Sequence, residues 1–466
     1  MKGMYRKNIK RSIIMYLLFA FVFGGLIFRW MEPEDTFVEH DYVSNVKGDH
    51  RAAVLEEREE SGIARLELID QAEHSLDITY HTIHAGEWAD LFFASVLEAA
   101  DRGIEVRILF DGLLHNMRGD LRSLPHLLSS HPNITLKYYE SFNPFRPWTW
   151  NNRLHDKLIL VDGTFAMTGG RNIGDKYFTN DENDKSVNDR DVVLIYTGDK
   201  EDKDKSTENV VTALSDYFDS LFDHEYTTEA IYKLSKNQER KATIKNKQMT
   251  QMLRSSNHRI DGKIDWLKLS VPIDEVKVVH NPLERLNKKP VVWHELIQMF
   301  EKAEKSIVAQ SPYIIPTNEM IAMVDLKKIN ADENIILTNS KQATPNLLAF
   351  SGYVSRRDSL MESDLALYEY IGPHSIHGKT FVFDSYISVL GSFNIDARSA
   401  FLSTETMVII EGEEFARKVE GNIDELVDKS QLYIGNNAKD NLDVSFIKKV
   451  GIRLLQPFTT SFDYLL

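Results

Sequence analysis

Two histidine–lysine pairs 222 residues apart carry the residue types for chemistry at phosphorus: His155 with Lys157, and His377 with Lys379. In each copy an Asp follows the His by seven residues (Asp162, Asp384), a Gly by fourteen (Gly169, Gly391) and an Asn by seventeen (Asn172, Asn394). One His-x-Lys-x4-Asp match arises by chance in roughly one chain in twenty of this length. Two copies with matched Gly and Asn do not. On a strand, residues two apart project to the same face, so two such strands brought together converge two imidazoles and two ammonium groups on one pocket suited to a phosphodiester. One His must be neutral to attack phosphorus, and the other must be protonated to supply the departing alkoxide. Imidazole, with an ordinary pKa of about 6.5, suits both tasks if its surroundings push the two apart. The lysines and the amides of Asn172 and Asn394 are the expected donors to the non-bridging oxygens. The protein thus supplies the positive charge itself, and no metal or cofactor is expected. Spacing does not decide which His attacks. Asp162 and Asp384 complete the two catalytic motifs, but each lies an odd number of residues from its His, and a structural role is expected: tying the turn to the opposite lobe or strand. His81, His84, His115, His131 and His374 have no partner spacing and receive no role.

Further stretches accompany the doubled motif: Asn143-Pro144-Phe145, Gly169-Gly170-Arg171-Asn172-Ile173-Gly174-Asp175, Ser311-Pro312-Tyr313, Leu337-Thr338-Asn339-Ser340, and Gly391-Ser392-Phe393-Asn394-Ile395-Asp396-Ala397-Arg398-Ser399. Together they resemble the phospholipase D superfamily, and within it the bacterial cardiolipin synthases of the C-type branch, over about Ala64 to Leu466. The resemblance implies two homologous lobes whose motifs meet at their interface, with His155 as nucleophile, His377 as acid and a phosphatidyl-histidine intermediate resolved by an alcohol or water. It also implies that Glu405 orients the imidazole of the second lobe and Asp191 that of the first. Three positions depart from the family pattern: Ser403 stands where Asn is usual before Thr404-Glu405, Ser385 replaces Gly after Asp384, and Ala397 replaces Pro. None removes a group that does chemistry. The activity so implied is a membrane-anchored phosphatidyltransferase making cardiolipin, with phosphatidylglycerol the expected substrate. The alternatives are hydrolysis of phospholipid or nucleic-acid phosphodiesters, and a non-catalytic membrane scaffold, against which the intact motifs argue.

The elements that must position these groups follow from the rest of the chain. At 466 residues, 42% hydrophobic, it exceeds one ordinary core. It has no cysteine, which excludes disulfides and thiolate-bound metal. The formal charge of −15 divides into +6 over residues 1–30 and −21 over the remainder, so the body is acidic and nucleic acid is not an expected partner. Ser12 to Phe28 has no charge over seventeen residues, about 26 Å as a helix. Five basic residues precede it, while Glu32, Glu34 and Asp35 follow, so an uncleaved single-pass anchor with a cytoplasmic N-terminus and an extracytoplasmic body is expected. No Ala-x-Ala-like cleavage site follows it.

The expected division is an anchor (1–31), a linker (32–63), a first lobe (64–232), an inter-lobe linker (233–274), a second lobe (275–435) and a tail (436–466). The fold class is α/β, with a pseudo-twofold pair of mixed sheets flanked by helices. In the first lobe, Ser75 to Ile83 reads as a strand, Trp88 to Ala99 as a helix, Ile104 to Phe110 as a strand and Lys157 to Val161 as the catalytic strand. In the second, a helix from Val292 to Ala303 precedes strands at Ser306 to Gln310 and Asn334 to Thr338. A helix near Asn346 to Met361, the catalytic strand Lys379 to Phe383 and a strand at Met407 to Ile410 complete it. Phe142, Phe145, Trp148 and Trp150 read equally as bilayer contact, acyl groove or local core. Asp199 to Lys205 reads as a solvated loop, Lys233 to Lys263 as a loop or an anionic-lipid contact, and amphipathic Val444 to Leu455 as a lobe cover or a membrane-lying helix.

Overall fold

The computed structural model describes residues 2–27, 42–180, 186–198, 209–230, 235–256, 264–360, 365–435 and 444–465. The charge-alternating stretch Asp199 to Lys205 lies outside them, as do both ends of the expected basic loop Lys233 to Lys263.

Each lobe is built on a nine-stranded mixed sheet, and the two sheets repeat one order. In the first it runs Thr227–Glu229, Ile134–Tyr139, Glu105–Asp111, Ser75–Tyr80, Leu158–Val161, Phe165–Gly169, Asp191–Tyr196, His50–Leu55, Val271–Pro272. In the second it runs Ser430–Leu432, Ala366–Tyr370, Glu333–Asn339, Ser306–Gln310, Thr380–Phe383, Ile387–Gly391, Thr406–Glu411, Glu275–His280, Val43–Val46. The strands Leu158-Ile-Leu-Val161 and Thr380-Phe-Val-Phe383 are buried at every residue, as continuous apolar strands covered on both faces must be. Parallel pairing of Ser75–Tyr80 with Glu105–Asp111, and of Ser306–Gln310 with Glu333–Asn339, is bridged by the helix Glu87–Asp101 in the first lobe and by the short helix Asn318–Ala322 and the turn Leu326–Lys328 in the second. The expected strands and helices therefore appear within a few residues of their predicted bounds, except that Asn346 to Met361 is two helices, Leu347–Val354 and Arg357–Leu360.

Apolar burial forms one cluster under the outer helices of each lobe and a third shared between the sheets. Helices Val210–Phe222 and Glu413–Val427 contribute Phe218, Leu221, Val419 and Ile423 to that shared core, alongside Leu158 and Val192 of one sheet and Val382 and Val408 of the other. The two lobes are thus one packed body.

The expected domain bounds need correction at both linkers. Residues 32–63 hold the strands Val43–Val46 and His50–Leu55 and the start of helix Arg58–Asp70. The first of these strands completes the second lobe's sheet, pairing Val46 with Val276, and the next belongs to the first lobe, pairing Leu55 with Asp191. Residues 233–274 hold Val271–Pro272, which pairs back onto Ala52 and Arg51 of the first lobe. Each lobe's leading strand therefore lies on the other lobe's sheet. Composition hid this because both strands are short, four residues and two. The basic stretch also contains a helix, Lys236–Ser255, started by a Ser235–Gln238 capping box. It buries Ala242, Met249 and Leu253 against the first lobe and ties down through Lys245 Nζ, 2.5 Å from Asp90.

The N-terminal helix Lys2–Phe21 continues as a π-helical turn, Val22–Leu26. Asn8–Leu26 is long and apolar enough to cross a membrane, and almost none of it is buried in the protein. Its far end meets the aromatic stretch: Tyr16 donates to the Pro144 carbonyl at 3.0 Å, and Asn151 donates to the Gly24 carbonyl. The rings of Phe142 and Trp150 lie tilted against each other at 5.4 Å, while Phe142 and Phe145 remain exposed beside this helix.

Candidate active site

The two motifs sit in the loops that enter the paired central strands, at the edge where the sheets face each other. Strand geometry begins only at Leu158 and Thr380. The His and Lys just before each strand keep one side because each Lys folds back on its own motif: Lys157 Nζ donates to the His155 carbonyl and Lys379 Nζ to that of His377.

Backbone pairing across the lobes fixes where each imidazole stands. Leu154 bridges to Thr404, whose N–H donates to the Arg153 carbonyl at 2.9 Å, and the His155 N–H donates to Thr404 Oγ1 at 3.2 Å. Asp156, between His155 and Lys157, accepts from the hydroxyls of Thr404 and Thr406. On the other side Ser375–Ile376 pairs with Val187–Asn188, and the His377 N–H donates to the Asn188 carbonyl at 2.6 Å. Behind His155, buried Arg153 is held by Asp111 at 3.2 Å and by the carbonyls of Glu140 and Thr149.

The consequence is a crossed arrangement. His155 Nδ1 lies 2.9 and 3.0 Å from the oxygens of Glu405, a second-lobe residue, and His377 Nδ1 lies 2.6 Å from Asp189 Oδ2, a first-lobe residue. This corrects the expected pairing in two ways. Glu405, expected to orient His377, faces His155 of the opposite lobe, and His377 is held by Asp189, while Asp191, expected to orient His155, is not its partner. Asp191 instead starts the strand Asp191–Tyr196, where Ser61, Arg65 and Arg171 surround it at 2.5, 2.9 and 3.1 Å. The sheet register carried the signal: Gly169 pairs with Asp191 and Gly391 with Met407, so Asp189 and Glu405 are equivalent, each two residues before that partner.

Small residues beside these carboxylates are fitted to them. A Cβ on Gly170 would stand 2.3 Å from Asp189 Oδ1. The matching position holds Ser392, whose hydroxyl donates to Glu405.

Burial dominates the electrostatics. Burial, then Lys157, hold the His155 imidazole well below its ordinary range. Burial and Lys379 lower His377 to about 4, with Asp189 pulling upward. Burial would raise the Asp189 carboxyl, but His377 and Lys379 outweigh it and keep it below the ordinary carboxylate range. Glu405 goes the other way, pushed well above its ordinary range by burial against the pull of Lys157. Lys157 and Lys379 are lowered by burial to about 8 and about 7. These shifts follow from collecting four basic groups in one desolvated pocket.

The remaining expected residues divide. Asn172 is at the site, its Oδ1 accepting from the Thr82 N–H at 3.2 Å and its Nδ2 donating to Tyr177 at 3.3 Å. Asn394 is buried, with its N–H on Ser399 Oγ at 3.2 Å. The rings of Tyr177 and Tyr313 flank His377, centroids 6.1 and 6.5 Å away. Asp162 and Asp384 lie at the far ends of the strands and touch no reacting group. Asp162 accepts from the N–H groups of Glu73, His74 and Ser75 at 2.7 to 2.9 Å, and Asp384 from those of Glu304, Lys305 and Ser306 at 2.7 to 3.2 Å. Each ties its turn to the start of the neighbouring strand of its own lobe. Sequence reasoning missed His81, whose ring stands edge-on to His155 at 5.1 Å with Nδ1 2.6 Å from the Leu154 carbonyl. Burial lowers it to about 4. No spacing marks it, because it comes from the neighbouring strand.

Comparison with known proteins agrees with this architecture. The family described as cardiolipin synthase, PLD-like domain, matches residues 66–200 and 296–427. An uncharacterised protein of Helicobacter pylori is 28% identical, covering 88% of each chain. Cardiolipin synthase C of Escherichia coli is 29% identical over 78% of this chain and 82% of its own. The crystal structure of phosphatidylserine synthase of Haemophilus influenzae superposes with a TM-score of 0.62 at 14% identity, covering 89% of this chain and 95% of that one, which shows the shared fold. Two motif copies matched by one family profile over more than half the sequence, on this doubled fold, place the chain in the cardiolipin synthase, PLD-like domain family, as a phosphatidyltransferase of the phospholipase D superfamily.

Proposed function

We propose that the chain is a cardiolipin synthase that uses phosphatidylglycerol as donor and acceptor, working through a phosphatidyl-histidine on His155. One observation carries the reading: two imidazoles, each held at Nδ1 by a carboxylate of the opposite lobe, stand with two buried lysines in a single pocket. His155 attacks the donor phosphorus through Nε2, forming the N–P bond as the P–O bond to glycerol breaks, and His377 supplies the proton to the departing oxygen. The hydroxyl of a second phosphatidylglycerol then gives its proton to His377 as its oxygen takes the phosphorus, and His155 is released. Cardiolipin and glycerol result. The environments of the two histidines support these roles. Burial and Lys157 keep His155 neutral for attack, while His377 faces an ionised Asp189 that draws it toward protonation against burial and Lys379.

The exposed N-terminal helix supports an anchor that keeps the pocket at its substrate's surface. Its charge asymmetry favours a cytoplasmic N-terminus and an extracytoplasmic body. The test is lipid analysis after incubating the purified chain with phosphatidylglycerol. Cardiolipin with glycerol is the expected product pair. Phosphatidic acid alone would make it a hydrolase, and unchanged lipid would defeat the reading.

A further inference from the structure

The C-terminal helix Phe446–Ser461 has two apolar faces. Toward the protein it buries Ile452 and Thr459 against Leu347–Val354, where the Ser351 hydroxyl donates to the Ile452 carbonyl at 2.9 Å. Diametrically opposite, Phe446, Ile447, Val450, Leu454 and Phe458 fall within about 120° of arc at 3.6 residues per turn. They face outward, with Phe446, Ile447 and Leu454 79, 83 and 74% exposed. A surface helix that only covered a lobe would be polar on that side.

Two observations say what covers it. From Val444 to Phe462 the chain has Lys448, Lys449 and Arg453 and no acid, inside an acidic body, and exposed Lys449 and Arg453 border the apolar arc. The arc also runs on into the N-terminal helix: the Phe458 ring lies 4.7 Å from that of Phe462, which lies 5.8 Å from Phe21, and a Cβ added at Gly25 would meet Leu465 at 3.5 Å.

We propose that this helix lies on an anionic lipid surface, its apolar arc sunk to the acyl boundary and its basic edge at the headgroups. The proposal rests on the reading of the chain as an enzyme working at a membrane. It gives the body a second attachment beside the N-terminal helix, so that the enzyme meets the bilayer in one fixed orientation. The aromatic tip Phe142 and Phe145, next to that same helix, falls on the attached side.

The absence of cysteine makes the test direct. The full chain carrying Leu454→Cys or, on the first lobe's exposed surface, Ile244→Cys is labelled with an environment-sensitive nitrobenzoxadiazole. It is then reconstituted in vesicles of phosphatidylglycerol and phosphatidylethanolamine, some with brominated acyl chains. The expected result is a blue shift and bromine quenching at position 454 and neither at 244. A probe at 454 that bromine does not quench overturns the proposal, whether it stays in water or is covered by a second copy. Because the readout needs no turnover, quenching without cardiolipin would defeat the proposed function alone. Ile447→Glu combined with Leu454→Glu is expected to lower transfer on vesicles and spare it on detergent-dispersed lipid, and equal transfer on both would also overturn it.

Discussion

At the scale of single residues, the two aspartates flanking Arg190 have opposite tasks two positions apart. Asp189→Asn removes the charge facing His377 and is expected to cut kcat by several orders of magnitude with little change in Tm. Asp191→Asn leaves Arg65 and Arg171 buried without their counter-charge and is expected to cost about 3 kcal/mol of stability, read by denaturant unfolding, while active protein keeps its kcat. The second lobe does without this ion pair: the positions matching Arg171 and Asp191 hold Phe393 and Met407, in contact through the Phe393 N–H and the Met407 sulfur. The nucleophile is tested by His377→Ala with a p-nitrophenyl phosphodiester, whose leaving group needs no acid. One burst of nitrophenolate and an acid-labile phosphohistidine on the His155 peptide are expected, and a label on the His377 peptide of His155→Ala would exchange the roles. The lysines set the alkaline limit. Their ammonium forms bind phosphate, and burial brings them down to about 8 and about 7. A pH profile of kcat/KM should therefore fall as pH rises through 7 to 8, well before an ordinary lysine deprotonates.

At the scale of elements, the turns closing the catalytic strands are held by Asp162 and Asp384, both at positive φ (51° and 55°). Each collects three backbone N–H groups, so Asp162→Ala or Asp384→Ala is expected to cost about 2 kcal/mol, measured by chemical unfolding, with kcat unchanged. For Asp384 burial acts upward but the N–H groups of Lys305, Ser306 and Glu304 hold the carboxylate below its usual range. The stability it contributes is present above the ordinary carboxylate pKa and is lost only as pH falls through this lowered value. These strands and helices were legible because periodicity is a local property: Leu158 to Val161 and Val291 to Lys302 declare themselves by pattern. Glu405 was legible as an acceptor but not as the partner of His155, since no residue near either one encodes which lobe it faces. Asp191 was misread for want of its arginines, one of which lies 126 residues earlier. His81 escaped for the same reason.

At the scale of the molecule, the lobes share a core, exchange their leading strands and complete each other's histidine pairs. Fragments 1–256 and 264–466 are expected to be unstable alone and to reassemble into active enzyme when co-expressed. Size-exclusion chromatography with a lipid assay checks this, and an active fragment on its own would contradict the crossed arrangement.

The strand Val43–Val46 also sets a timetable for synthesis. Its partner Val276 lies 230 residues downstream of Val46, and at about 5 to 20 residues per second the ribosome needs on the order of ten to fifty seconds to deliver it. Until then His50–Leu55 stands at the edge of the first sheet without the neighbour that Val271–Pro272 will provide, leaving that edge open to another chain. The nascent first lobe is thus most vulnerable to misassembly before its sister emerges, and a pause between the lobes would lower the yield of folded protein.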